Sequence, residues 1–211
     1  VKPGAALEYA LSSSIKKVSL KDKPVIGIVQ ANGEAEIEEI QQVDAGLSVL
    51  YDVQSLNLLN DLNNKLYSTI ALINPEDSLT SDDLKQLDNY LDKGGNILIA
   101  MNAVVGDFTN AKGYVKNIGI SNWLKSKGII VGENFVIDSN CSKISVQQQQ
   151  GFFRYNTNVK FPYIPIVSKF ADHPITKGLE AVILQFASSI HYTRNDTSNT
   201  FTPIAFTSDQ S

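Results

Sequence analysis

The sequence predicts an α/β fold: a mainly parallel sheet with helices on both faces and a β-rich C-terminal extension. Short, nearly unbroken apolar runs such as Pro24-Val25-Ile26-Gly27-Ile28-Val29 and Ser68-Thr69-Ile70-Ala71-Leu72-Ile73 have the character of strands covered on both faces. Segments with apolar residues at helical spacing alternate with them, which is the rhythm of βαβ units. Beyond Asp138 the rhythm changes, and from Gly151 to Pro165 aromatics alternate with polar residues, as in antiparallel strands or an irregular flap.

Taken in order, Ala6, Leu7, Ala10, Leu11 and Ile15 recur at helical spacing and predict a leading amphipathic helix. It ends near Lys16-Lys17, where cations suit the helix dipole. The first core strand is Val25 to Val29. The polar turn Gln30-Ala31-Asn32-Gly33-Glu34 opens a helix from Glu34 to Ala45 with Ile37, Ile40 and Val43 on one face, and Glu34, Glu36, Glu38 and Glu39 read as its solvated side. Leu47 to Val53 is a second strand and Ser68 to Pro75 a third that stops at the proline. Thr80 or Ser81 caps the next helix, Asp82 and Asp83 occupy its first turn, and Leu84, Leu87, Tyr90 and Leu91 face inward. Gly94-Gly95 ends it, because a left-handed exit favours glycine, and Asn96 to Met101 follows as a fourth strand in a right-handed crossover. Ser121 to Gly128 reads as a short helix, Asn134 to Asp138 and Ala181 to Phe186 as further strands, and His173 to Leu179 as a turn.

At 211 residues the chain can bury one substantial core. One domain is expected, with a leading helix at 1–20, a core at 24–140 and a β-rich extension at 141–211. The net charge of −4 and the absence of a Lys/Arg stripe argue against a nucleic-acid partner. The single cysteine, Cys141, leaves no intramolecular disulfide and no four-ligand cysteine zinc site. No apolar run reaches membrane-spanning length, Val1-Lys2-Pro3-Gly4 is unlike a signal peptide, and the ends read as those of an excised domain.

In an open α/β sheet ligands sit beyond the carboxyl ends of the strands. That selects Gln30 to Glu34, Asn74 to Glu76, Met101-Asn102 and Asp138 to Asn140, and within them Asn32, Gly33, Glu34, Asn74 and Asn102 form the candidate ligand-binding set. The Asn32-Gly33-Glu34 turn is no Gly-rich dinucleotide fingerprint or P-loop. A nucleophilic enzyme of this architecture needs a Ser or Cys on a strand-to-helix elbow, whereas the strand Ile97 to Ala100 runs into Met101-Asn102-Ala103-Val104. Nothing in the sequence places His173 or His191 beside Cys141, which reads as a small, partly buried structural cysteine. The two histidines have no metal-ligand spacing with Asp138 or Asp172. No catalytic residue, metal site or cofactor is therefore expected. Phe152, Phe153, Tyr155, Phe161 and Tyr163 are either strand packing or a recognition surface.

Several segments together resemble the GldG-type family, auxiliary components of gliding-motility ABC transport systems in Bacteroidetes. They are Ala6-Leu7-Glu8-Tyr9-Ala10-Leu11 with Ile15-Lys16-Lys17, Lys23-Pro24-Val25-Ile26-Gly27 into Asn32-Gly33-Glu34, and Leu79-Thr80 with Leu87-Asp88-Asn89-Tyr90-Leu91-Asp92-Lys93-Gly94-Gly95-Asn96-Ile97-Leu98. Asn117-Ile118-Gly119-Ile120 with Trp123-Leu124-Lys125, and His173-Pro174-Ile175-Thr176-Lys177-Gly178-Leu179, complete the series. The resemblance implies a sheet similar to flavodoxin-like and class I amidotransferase-like folds. It also implies a non-catalytic periplasmic domain, membrane-anchored in the full-length protein, that works with a membrane permease and an ATPase. The family turn often reads Gly-His-Gly-Glu where this chain has Ala31-Asn32-Gly33-Glu34, so no histidine role carries over. Capture of a small ligand or glycan is the alternative, a hydrolase or amidotransferase-like activity ranks below both, and self-association stays open.

Overall fold

The computed structural model describes residues 3–62, 66–107, 110, 112–150, 152–193 and 199–211. Val1, Lys2 and Gly151, named above, lie outside them. The chain forms two compact units, Lys2–Met101 with Lys116–Lys127, and Asn102–Val115 with Gly128–Ser211.

The first unit contains helix α1 (Pro3–Ser19), strand β1 (Val25–Val29), a 3-10 turn (Ile37–Ile40) running into α2 (Gln41–Leu47), then β2 (Asp52–Leu56), β3 (Thr69–Ile73), α3 (Ser81–Asp92), β4 (Asn96–Ala100) and α4 (Ile120–Ser126). The four strands are parallel in the order β2-β1-β3-β4. Strands β1 and β3 are interior, and Ile28, Val29, Ile70 and Leu72 are buried, as unbroken apolar runs require. Ile37, Ile40 and Leu47 pack with Tyr51, Val53 and Ile73 around Ile26, Ile28 and Ala71.

Helix α3 starts where the capping residues predict. The Thr80 hydroxyl accepts from the Asp83 N–H at 3.2 Å, and the Asp83 carboxylate accepts from the Thr80 N–H at 2.8 Å, so two otherwise orphaned donors are satisfied. Leu87 faces inward and is fully buried. The helix exits through Gly94 at φ +83°, the left-handed backbone that favours glycine. Asp88 on its outer side accepts from the Trp123 indole N–H at 2.9 Å and pairs with the Lys127 ammonium at 2.7 Å, which ties α4 to α3.

Three local expectations shift. Strand β2 starts at Asp52 and not Leu47, because α2 runs to Leu47 and turns through Ser48 N–H to the Asp44 carbonyl (2.8 Å) and Tyr51 N–H to the Leu47 carbonyl (2.9 Å). The helix expected from Glu34 begins later, at Ile37, as a 3-10 turn. Asn134 to Asp138 is no strand: Val136 and Asp138 donate singly to Ala187 and Pro162, so no continuous ladder forms.

The second unit contains the antiparallel hairpin of β5 (Val104–Asp107) and β6 (Lys112–Val115), β7 (Ile129–Val131), the long hairpin of β8 (Cys141–Gln150) and β9 (Phe153–Val167), β10 (Lys169–Phe170), β11 (Val182–Ile183), β12 (Ile190–Tyr192) and β13 (Ala205–Phe206). Strands β7 and β12, β10 and β13, and β9 and β11 pair antiparallel. Only Val182 and Ile183 of the strand expected at Ala181 to Phe186 enter a ladder, because Leu184 and Phe186 turn their N–H groups to Pro165 and Tyr163.

Replacing Leu87 with Ala leaves a cavity under α3 and should lower the unfolding free energy by about 2–5 kcal/mol. Urea titration should show an earlier midpoint at unchanged slope.

Candidate functional site

Strand β1 connects through α2 to β2 on one side, and β3 connects through α3 to β4 on the other. The strand order therefore reverses between β1 and β3, and the crevice beyond their carboxyl ends is the fold's ligand position. The turns there are Gln30 to Glu34 after β1 and Asn74 to Asp77 after β3.

The first turn closes on itself. One oxygen of the buried Glu34 carboxylate accepts from the N–H groups of Ala31 (2.9 Å) and Asn32 (2.6 Å), and the other lies 3.4 Å from the Asn32 side-chain amide. These are charge-assisted bonds of the kind that an incoming anion would make. The turn's own side chain thus engages two backbone N–H donors internally. Glu34 is consequently not part of a solvated helix face.

The two turns are stitched together. The Asn32 carbonyl accepts from the N–H groups of Glu76 (3.2 Å) and Asp77 (2.9 Å), and the Ala35 N–H reaches the Ile73 carbonyl at 2.9 Å. Gly33 has φ +69°, and a Cβ there would sit 3.1 Å from Glu76 Cβ and 3.3 Å from Asp77 Oδ2. Asn74, also at positive φ, is 3.4 Å from the Glu76 carboxylate through its amide and accepts from the Lys116 ammonium at 3.1 Å. The structure therefore brings Asn32, Gly33, Glu34 and Asn74 into one cluster and adds Glu76, Asp77 and Lys116. Asn102 belongs to the other unit, where its amide donates to the Gln185 carbonyl at 3.2 Å. Lys116 was invisible to sequence reasoning because its partner lies 42 residues away. At the start of the turn the buried Gln30 Nε2 has no hydrogen-bond partner.

The remaining candidates disperse. Cys141 is a buried free thiol on β8 opposite Pro165, His191 lies on β12 opposite Ile130, and the His173 ring accepts from the Ile175 N–H within a turn. Among the described residues no group of three or more His, Cys, Asp or Glu is placed to hold a metal ion. The aromatic set divides. Phe161 and Tyr163 join Phe135 and Phe186 around a cavity of about 330 Å³, while Phe152, Phe153 and Tyr155 are exposed on the long hairpin.

Asp138 is buried and accepts from the Ser208 N–H (2.7 Å), the Ser208 hydroxyl (2.6 Å) and the Asn140 N–H (2.8 Å). Burial pushes its pKa up, but the Ser208 hydroxyl and the two N–H donors together outweigh this and hold it below the ordinary aspartate value. Asp138 is an ionised clamp on the segment around Ser208.

A doubly wound α/β domain whose switch-point turn is held by its own carboxylate is the class these features define. The chain belongs to the family described as ABC-type uncharacterized transport system (ABC_transp_aux), whose model matches residues 23–211. It is an auxiliary transport component, and membership implies membrane components among its partners. Helix α1 precedes the matched region. The fold is similar to a solved structure described as the mmIFT52 N-terminal domain, at 15% identity and a TM-score of 0.56, covering 81% of this chain and 69% of that one. No curated protein matches the chain. Among the described residues no helix is long and apolar enough to cross a membrane.

Glu34→Ala strips the acceptor from two backbone N–H groups and should cost about 1–3 kcal/mol in urea unfolding, while Glu34→Gln, which keeps an acceptor oxygen, should cost less. Asp138 has a depressed folded pKa, so its contribution is present above its unfolded pKa, about 3.9, and is lost as pH falls through the folded value. Asp138→Asn should be less stable than the parent at neutral pH, and its unfolding free energy should change less between about pH 4 and pH 2.

Proposed function

We propose that this chain is a non-catalytic scaffold domain of an ABC-type transport system linked to gliding motility. In this reading it is periplasmic, anchored to the membrane in the full-length protein, contacts the permease, and passes on conformational change driven by the ATPase. The observation that carries the reading is the Glu34 carboxylate seated on the Ala31 and Asn32 N–H groups. Two of the N–H donors that a phosphate or cofactor at such a turn would use are engaged by Glu34, which favours a rigid surface over a ligand cradle. The extracytoplasmic placement and the motility link rest on the resemblance of the segments quoted above.

A second reading, capture of a small ligand or glycan at the Asn32, Gly33, Glu34 and Asn74 cluster, is favoured by the unpartnered Gln30 amide at the start of that turn. An incoming acceptor would satisfy it.

Affinity purification of the full-length protein from its native membrane should recover a permease and an ATPase at fixed stoichiometry. Thermal-shift screens against sugars, peptides and nucleotides should leave the midpoint unchanged. A ligand-dependent rise that disappears in Gln30→Leu would replace the scaffold reading with the binding module. Turnover abolished by Cys141→Ala or His191→Ala would overturn both.

A further inference from the structure

The β8–β9 hairpin is amphipathic, and its described distal side chains, among them Val146, Phe152, Phe153, Tyr155 and Val159, are exposed. The pairs Ile144↔Val159, Val146↔Thr157 and Gln148↔Tyr155 alternate along the ladder with Lys143↔Lys160, Ser145↔Asn158, Gln147↔Asn156 and Gln149↔Arg154. Cross-strand partners share a face and successive residues alternate faces. One face therefore carries Ile144, Val146, Phe153, Tyr155 and Val159 together with Gln148 and Thr157, and the reverse face carries Lys143, Arg154 and Lys160 among neutral polar residues. Phe152 is fully exposed at the tip and Phe153 is 80% exposed beside it.

This ribbon is costly in water. A two-stranded hairpin solvated on both sides is marginal alone. Lys143 lies directly opposite Lys160, a like-charge pair that destabilises a ladder. No Asp or Glu occurs between Asp138 and Asp172 in a chain whose net charge is −4. The hairpin thus concentrates cations and exposed aromatics against the charge of the rest of the molecule.

A surface that takes up the apolar face while presenting negative charge at the level of the reverse face relieves both costs. Apolar residues on one side, Lys and Arg on the other and aromatics at the leading end are the features of segments that lie in a bilayer interface. A second copy packed face to face would leave the lysine pair uncompensated. The exposed aromatics Phe152, Phe153 and Tyr155 gather at the tip end, which suits insertion at an interface. Membership of a transport family makes a bilayer an available surface.

We propose that the β8–β9 hairpin docks on an anionic bilayer, with Phe152, Phe153 and Tyr155 among the acyl chains and Lys143, Arg154 and Lys160 at the headgroup phosphates. This docking does not depend on the motility role.

The test is co-sedimentation of the 211-residue chain with vesicles of phosphatidylcholine carrying about 30% phosphatidylglycerol, against pure phosphatidylcholine. Binding should require the anionic lipid and weaken sharply between about 0.1 M and about 1 M salt. Lys143→Gln with Lys160→Gln should reduce partitioning by about fivefold per cation removed, and Phe152→Ser with Phe153→Ser by roughly tenfold or more. These side chains are exposed, so the variants' circular dichroism should match the parent. Phe153→Trp should shift its fluorescence to the blue on anionic vesicles only. No binding to anionic vesicles, equal binding to neutral ones, or loss of a sedimentation-velocity dimer in the Phe variants without vesicle binding would each overturn the proposal. The last outcome would assign the face to a second copy. None of these results bears on co-purification with a permease and an ATPase, so the two readings fail separately.

Discussion

The contact between the Glu34 carboxylate and the N–H groups of Ala31 and Asn32 governs what the first unit can do. It fixes the exit of β1, leaves the Asn32 carbonyl free to receive Glu76 and Asp77, and so joins the two turns at the reversal in strand order. An open α/β sheet gathers N–H donors at this place, and most of the chemistry the fold supports begins with them. With those donors held internally, the carboxyl end of the sheet becomes a firm surface bearing Glu76, Asp77 and Lys116.

How much was legible in the sequence tracked how local the determining forces are. Strand β1, a cap at Thr80 or Ser81 ahead of α3 and the Gly94-Gly95 exit were readable because each is decided within a few residues. The start of β2 was not, because Leu47 to Tyr51 satisfies its backbone by extending α2, and strand pairing takes only what remains. Glu34 illustrates a harder case. Its place among Glu36, Glu38 and Glu39 reads as one solvated stripe, yet the turn geometry draws this one carboxylate inward while Glu36 and Glu39 cap the following 3-10 turn. Asn32, Gly33 and Asn74 come together because each follows the end of a strand, and Lys116 was missed because tertiary folding alone brings it there.

In the second unit, aromatic residues with the same sequence pattern have two fates. Phe161 and Tyr163 pack edge-on with Phe135 and Phe186, and Gly106 and Gly113 of the β5–β6 hairpin have room only for hydrogen because those rings press on them. Phe152, Phe153 and Tyr155, a few residues upstream, stay in solvent. Alternation within a strand sets which side a ring faces, but distance from the body of the unit decides whether anything meets it.

The route of the chain has a consequence for biosynthesis. Asp88 takes both of its partners, Trp123 and Lys127, from a segment translated only after the chain has entered the other unit at Asn102. Trp123 and Leu124 are themselves core residues. During N-to-C synthesis the nascent parallel sheet must therefore wait, incompletely covered, while an excursion of foreign residues is made. Maturation of the first unit is coupled in time to the emergence of the second.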